Sequence, residues 1–146
     1  MPSPKPPPAS PDHTELQFYE ALQQGDLDRL MSLWADDEEI VCVHPGGQRL
    51  VGSEAIRAAF DAMFSQGAVP VYPEQVRRVQ TLDSAVHSVL ERVQTLGPDG
   101  EPHTGWALAT NVYVKTPLGW RMVCHHASPS VTRELAEVTE QPVLLH

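Results

Sequence analysis

Basic residues are scarce in this chain, cysteine is scarcer and long apolar runs are missing, and each shortage removes a class of function. Ten lysines and arginines stand against nineteen aspartates and glutamates, a formal net charge of -9. That balance repels phosphate backbones and anionic lipid surfaces and argues against nucleic acid as a partner. No apolar run approaches the ~20 residues needed to cross a bilayer, so no membrane span is expected. The N-terminus, Met1 to Ala9, has no apolar segment of the kind a secretory signal needs, and a cytoplasmic protein is expected. The two cysteines, Cys42 and Cys124, fall among apolar neighbours in expected strands. There a reduced cysteine behaves as a small hydrophobe, and no disulfide is expected.

Catalytic and cofactor motifs are equally sparse. Gly46-Gly47 has neither the spacing nor the lysine of a phosphate loop. Ser128 has no nucleophile elbow around it, and its place before Pro129 suits the end of a strand. No HxH, HxxxH or CxxC spacing is present, and Asp36-Asp37-Glu38-Glu39 lacks the spaced ligands of a calcium loop. Neither a metal nor a cofactor is expected.

What is present is ordinary globular material, 41% apolar and 20% charged in 146 residues. That is enough for one domain burying roughly two thirds of its unfolded surface. Residues 1–11 read as a disordered proline-rich arm, 12–130 as the domain, and 131–146 as a tail with a possible docked helix from Val131 to Thr139. Leu16, Tyr19 and Leu22, with Phe18 beside them, predict a first helix capped by Asp12 or Thr14 and ended by Gly25. Asp26 caps a second with the stripe Leu27, Leu30, Met31 and Trp34. Ile40 to His44 is a buried strand stopped by Pro45-Gly46-Gly47. Ser53 caps a third helix with Ile56, Ala59, Phe60, Met63 and Phe64 inward, and Gly67 closes it.

Long strands follow. Val71 to Val79 is one, with Pro73 marking an edge position or a bulge. Ala85 to Leu96 alternates, with His87, Val89, Glu91 and Val93 on one side. His103 to Lys115 is next, and Trp120 to Pro129 returns antiparallel to it. Helices first and then a long meander give an α+β fold. Its two to three helices cover one face of a strongly curved antiparallel sheet and enclose a pocket.

The helix pair ending in Leu33-Trp34, Val43 to Gly47 leading into Leu50-Val51-Gly52, Ala109 to Tyr113, and Gly119 to Val123 with His125 to Pro129 together resemble the SnoaL-like branch of the nuclear transport factor 2-like superfamily. The resemblance runs from Asp12 to Pro129. It implies a cone-shaped α+β barrel with a pocket at its wide end, a homodimer made by packing sheets, and membership of a group that includes isomerases, cyclases, dehydratases and epoxide hydrolases. The pocket tyrosine and aspartates of ketosteroid isomerases have no match, since the later strands hold no interior aspartate. The aspartates with an arginine between them of limonene epoxide hydrolases are absent too, because Val93-Gln94 follows Arg92.

Chemistry is expected at two histidines. His44 ends the first strand before a turn, and imidazole titrates near neutrality, so it is a candidate for proton transfer. His125 and His126 must point to opposite faces. Counting parity from Trp120, Met122 and Cys124 puts His126 in the pocket and His125 on the other side. Tyr19, Trp34, Trp106, Thr110, Asn111 and His125 are candidate ligand contacts, some of which can equally be core or interface. The chain is therefore expected to be a pocket protein for a small hydrophobic or carboxylate-bearing ligand, an isomerase, cyclase or lyase. The alternative is a non-catalytic dimeric binding or assembly module.

Overall fold

A computed structural model of the chain describes residues 8–130; the first seven residues of the expected arm and the tail from 131 to 146, with its expected helix, lie outside them. Three helices, α1 (Pro11–Gln24), α2 (Leu27–Ser32) and α3 (Ser53–Phe64), pack on six strands: β1 (Val41–Val43), β2 (Arg49–Val51), β3 (Val71–Gln80), β4 (Ser84–Leu96), β5 (Pro102–Thr116) and β6 (Gly119–Ser130). The strands form one curved, unclosed sheet in the order β2-β1-β6-β5-β4-β3. The meander from β3 to β6 is antiparallel, as expected. β1 lies parallel to β6 and antiparallel to β2, a short edge strand that the residue pattern does not signal.

α1 starts earlier than its apolar spacing suggests. Pro11 is preset for the first helical turn, and Ser10, not Asp12 or Thr14, is the cap, its Oγ accepting from the His13 N–H at 3.1 Å. The fold extends into the expected arm, since the Pro8 carbonyl accepts from the Trp120 N–H at 3.1 Å. Thr14 is freed for the core, where its hydroxyl donates to the Trp120 carbonyl at 2.9 Å. Gly25 ends the helix in the left-handed region at φ 67°, which glycine adopts at little cost. The inward face is Thr14, Glu15, Phe18, Tyr19 and Leu22, whereas Leu16 is 54% exposed and points away.

α3 also departs from its expected ends. Gly52, at φ 88° and with no side chain to bond, occupies the cap position, so Ser53 is the first helical residue. Ser65, ahead of Gly67, closes the helix. Ile56 and Phe60 are its fully buried residues, with Met63 and Phe64 packed against the same core. β3 is an edge strand, and its register with β4 shifts between Pro73 and Val76.

The feature that most affects the interior is a bulge in β6. Val112 pairs with Cys124 but Tyr113 pairs with Met122, so Val123 is the extra residue. A bulge inserts one residue and reverses the inside-outside phase beyond it. Trp120 and Met122 face the core on one side of it, and His125 and Ala127 do so on the other. The parity count therefore fails: His125 is inside and His126 is exposed.

Leu30 is fully buried, and its replacement by alanine is expected to cost roughly 2–5 kcal/mol in denaturant unfolding. Leu16→Ala should cost less than about 0.5 kcal/mol; equal losses would show that the helix face is assigned wrongly.

Candidate functional site

Small residues on the inner face of the sheet leave room for a chamber. Val89, Ala109 and Ala127 form one cross-strand row, and Glu91 pairs with Ala107 in the next. Between these strands and the helices lies a cavity of about 190 Å³. Leu22, Phe60, Met63, Val69, Val71 and Val93 give it apolar walls, and its polar side chains are Glu91, His125 and His44. His44 stands on the turn after β1, its ring edge-on to Phe60 at 4.9 Å between centroids.

From His125 a second row runs back behind the cavity wall, His125, Asn111 and His87, set side by side by the registers of β6, β5 and β4. α1 supplies its partners. Glu15 and Tyr19 are four residues apart and share one helix face, which is laid against this row. Three donors converge on Glu15 Oε2: His87 Nδ1 at 2.9 Å, Tyr113 OH at 2.6 Å and Asn111 Nδ2 at 3.3 Å. Convergence of donors on one oxygen is what a carboxylate anion accepts. The Asn111 amide also donates to Tyr19 OH at 3.0 Å, and Tyr19 in turn donates to Glu91 Oε2 at 2.7 Å. Asn111 Oδ1 lies 2.6 Å from His125 Nδ1. An amide oxygen only accepts, so His125 carries its proton on Nδ1.

The low-dielectric setting shifts the groups that face the cavity. Burial pushes the Glu91 carboxyl up to about 7, with the Tyr19 hydrogen bond pulling back and the charge of Glu15 adding to the rise. Burial pulls His125 down to about 3, assisted by repulsion from His44 and His126, and burial also lowers His44. The two imidazoles are thus neutral at pH 7, while Glu91 is divided between acid and carboxylate. A carboxyl that titrates near neutrality inside an apolar chamber can both give and take a proton. Cys42 is pushed up to about 12, chiefly by burial, and is inert as a nucleophile. Among the described residues no group of His, Cys, Asp or Glu is placed to hold a metal ion, and no helix is long and apolar enough to cross a membrane.

The SnoaL-like domain family matches residues 13–132. The chain belongs to that family. No curated protein matches it, but solved structures do. At 35% identity over 87% of this chain and 100% of the other, with a TM-score of 0.77, it is similar to a candidate calcium/calmodulin-dependent protein kinase type II association domain from Thiobacillus denitrificans. At 29% identity over 82% and 93%, with a TM-score of 0.73, it is similar to a candidate dehydratase of the nuclear transport factor 2-like family from Streptomyces avermitilis. A Caulobacter vibrioides protein with a cystatin-like fold, at 16% identity over 83% and 87% and a TM-score of 0.71, shares the fold.

In this SnoaL-like domain the residues singled out from the sequence divide three ways. His44 and His125 line the cavity. Tyr19 and Asn111 are buried behind it and hold its polar wall. The rest lie elsewhere: Thr110 and His126 are paired neighbours exposed on the outer face, Trp106 is half-buried beside Arg92 and Ser130, and Trp34 lines a separate depression with Asp36, Leu118 and Arg121. The bulge at Val123 is what moves His126 out. Glu15, Glu91, His87 and Tyr113 were not among the candidates. Their signal is spacing: Glu15 and Tyr19 four apart in a helix, and His87 and Glu91 four apart on the strand face that also carries Val89.

The two shifts act on stability in opposite directions. Native Glu91 holds a proton that the unfolded chain has released between pH 4.5 and about 7, so its contribution falls by roughly 3 kcal/mol as pH rises through that window. Unfolded His125 takes up a proton between pH 6.5 and about 3 that the native ring refuses, so stability falls by roughly 5 kcal/mol as pH drops. Glu91→Gln should flatten the first slope and His125→Asn the second in denaturant titrations at pH 4, 5.5 and 7.5; unchanged slopes in both variants would refute the assignment.

Proposed function

We propose that this domain binds a small, uncharged, largely apolar organic molecule in the cavity and moves a proton on it, in an isomerisation, cyclisation or elimination. The observation that carries the reading is Glu91: a single carboxyl, held by Tyr19 at 2.7 Å and raised to about 7, in a largely apolar cavity whose other polar side chains are His44 and His125. Of the two ligand chemistries expected from sequence, the uncharged one fits better. The lining has no lysine or arginine, and a carboxylate brought beside Glu91 would be desolvated without a counter-charge. The size suits one ring, since a cavity of about 150 Å³ accommodates benzene. The likeness to a candidate dehydratase from Streptomyces avermitilis, at 29% identity, agrees with this class of chemistry. Catalysis by His126 is not part of the reading, because that ring is exposed on the outer face.

A second reading, self-association, is supported by a different surface. Val86 on β4 and Leu108 on β5 are exposed apolar side chains on the outer face of the sheet, which also carries Thr110 and His126. The likeness to a 35% identical candidate association domain from Thiobacillus denitrificans supports a second copy of the chain as the occupant of that face. The two readings are compatible, since cavity and outer face lie on opposite sides of the sheet.

A thermal-shift screen of uncharged cyclic ketones and alcohols is expected to give binders, and the wild type should accelerate deuterium exchange next to the carbonyl of a bound ketone. Glu91→Gln should slow that exchange about a hundredfold or more, and His126→Ala should leave it unchanged. A screen without binders, or a Glu91→Gln variant as fast as the wild type, would refute the first reading. For the second, sedimentation should find a dimer that Leu108→Glu dissociates; a wild-type monomer at tens of micromolar would refute it.

A further inference from the structure

Glu15 does not line the cavity, yet the hydrogen bonds of the buried cluster run outward from it in one direction. Its Oε2 can only accept, so the Asn111 amide must turn its NH2 group toward Glu15 and its oxygen away. That oxygen is the group 2.6 Å from His125 Nδ1, which therefore donates, leaving Nε2 with a lone pair. The same NH2 donates to Tyr19 OH, which leaves the tyrosine proton for Glu91 Oε2. His125 lines the cavity, and its Nε2 has no partner among the described residues, nor is it one of the sealed, unpartnered polar atoms. Glu91 likewise faces the cavity, and its Oε1 has no hydrogen-bond partner among the described residues.

We propose that Glu15 is a positioning residue that sets the hydrogen-bond polarity of the cavity wall through Asn111, so that His125 Nε2 is held as an acceptor and the site selects an uncharged ligand with a hydroxyl or N–H donor at that point. The ligand half rests on the function proposed above; the tautomer half does not. Without Glu15 the amide has no acceptor-only neighbour to orient it. Turned over, it would offer NH2 to Nδ1 and move the imidazole proton to Nε2, making the cavity wall a donor. Tyr113 and His87 hold Glu15 itself in place from β5 and β4. Asp12, 3.9 Å from His87 Nε2, is the charged group on the far side of that histidine, and Arg78 is bonded to Asp12 at 2.6 Å.

Nitrogen-15 NMR of the His125 ring in the unliganded protein tests the tautomer directly. The wild type is expected to carry Nδ1–H. Glu15→Met, similar in length but without an acceptor oxygen, should populate Nε2–H, and Glu15→Gln, which keeps one, should restore the wild-type form. Tyr113→Phe removes a different donor from Glu15 and should leave the tautomer alone. An Nε2–H wild type, an unaltered Glu15→Met ring, or a Tyr113→Phe ring altered as much as Glu15→Met would each overturn the proposal. Should Glu15→Met not fold, Asn111→Leu breaks the same link while sparing the other Glu15 bonds, and an unchanged Nδ1–H ring there overturns it equally. For the ligand, phenol should bind the wild type about tenfold or more tighter than toluene, a donor against none in nearly the same shape. That preference should collapse in whichever variant releases the ring. Toluene binding as tightly as phenol overturns the ligand half and leaves the proposed function standing; binding of neither by the wild type overturns both.

Discussion

The buried carboxylate of Glu15 is the constraint to which the rest of the interior conforms. A charge taken out of water at 4% exposure is tolerable only if hydrogen bonds compensate it. The chain provides that with donors from β4 and β5 at once, namely His87, Asn111 and Tyr113. The bonds therefore fix how α1 lies across the sheet as well as satisfying Glu15. Thr14, one residue earlier, ties the same helix to β6 through the Trp120 carbonyl. The buried polar contacts of the helix that covers the sheet thus reach three strands, each in a setting where a lost partner costs more than the bond contributes.

Packing and chemistry meet at Tyr19. Its ring is part of the apolar core, edge-on to Phe18 at 5.2 Å, while its hydroxyl sits between Asn111 and Glu91. A single side chain therefore joins the hydrogen-bonded network behind the wall to the one carboxyl that the cavity meets. The parallel pairing of β1 with β6 completes the wall by setting Cys42 beside His125 and carrying the chain on to His44. It also places Cys124 beside Val41 rather than beside Cys42, and both thiols are free.

Much of this was legible from residue order alone. The periodicity of β4 separated His87, Val89, Glu91 and Val93 from their outward neighbours, and Pro73 marked an edge strand with an irregular start. The resemblance carried by Leu33-Trp34, Val43 to Gly52, Ala109 to Tyr113 and the strand from Gly119 led to the family. The candidate site was less legible, for two physical reasons. A glutamate in a helix reads as solvent-facing until the donors that would satisfy it are known, and those of Glu15 lie 72 to 98 residues away. A strand, moreover, keeps its alternation only while its ladder is regular. Nothing in Met122-Val123-Cys124 marks the extra residue, so the count was correct up to Met122 and inverted at His125.

That inversion gives the length of β6 a meaning separate from its composition. With Val123 present, Trp120 and Met122 on one side and His125 and Ala127 on the other all face inward. Removing one residue between Met122 and His125 would leave a strand of the same character with regular pairing. It would nevertheless force a choice between burying the tryptophan end and keeping the imidazole at the cavity. The segment should accept substitutions of like size far more readily than insertions or deletions, because a change in residue number there alters which half of the strand belongs to the core.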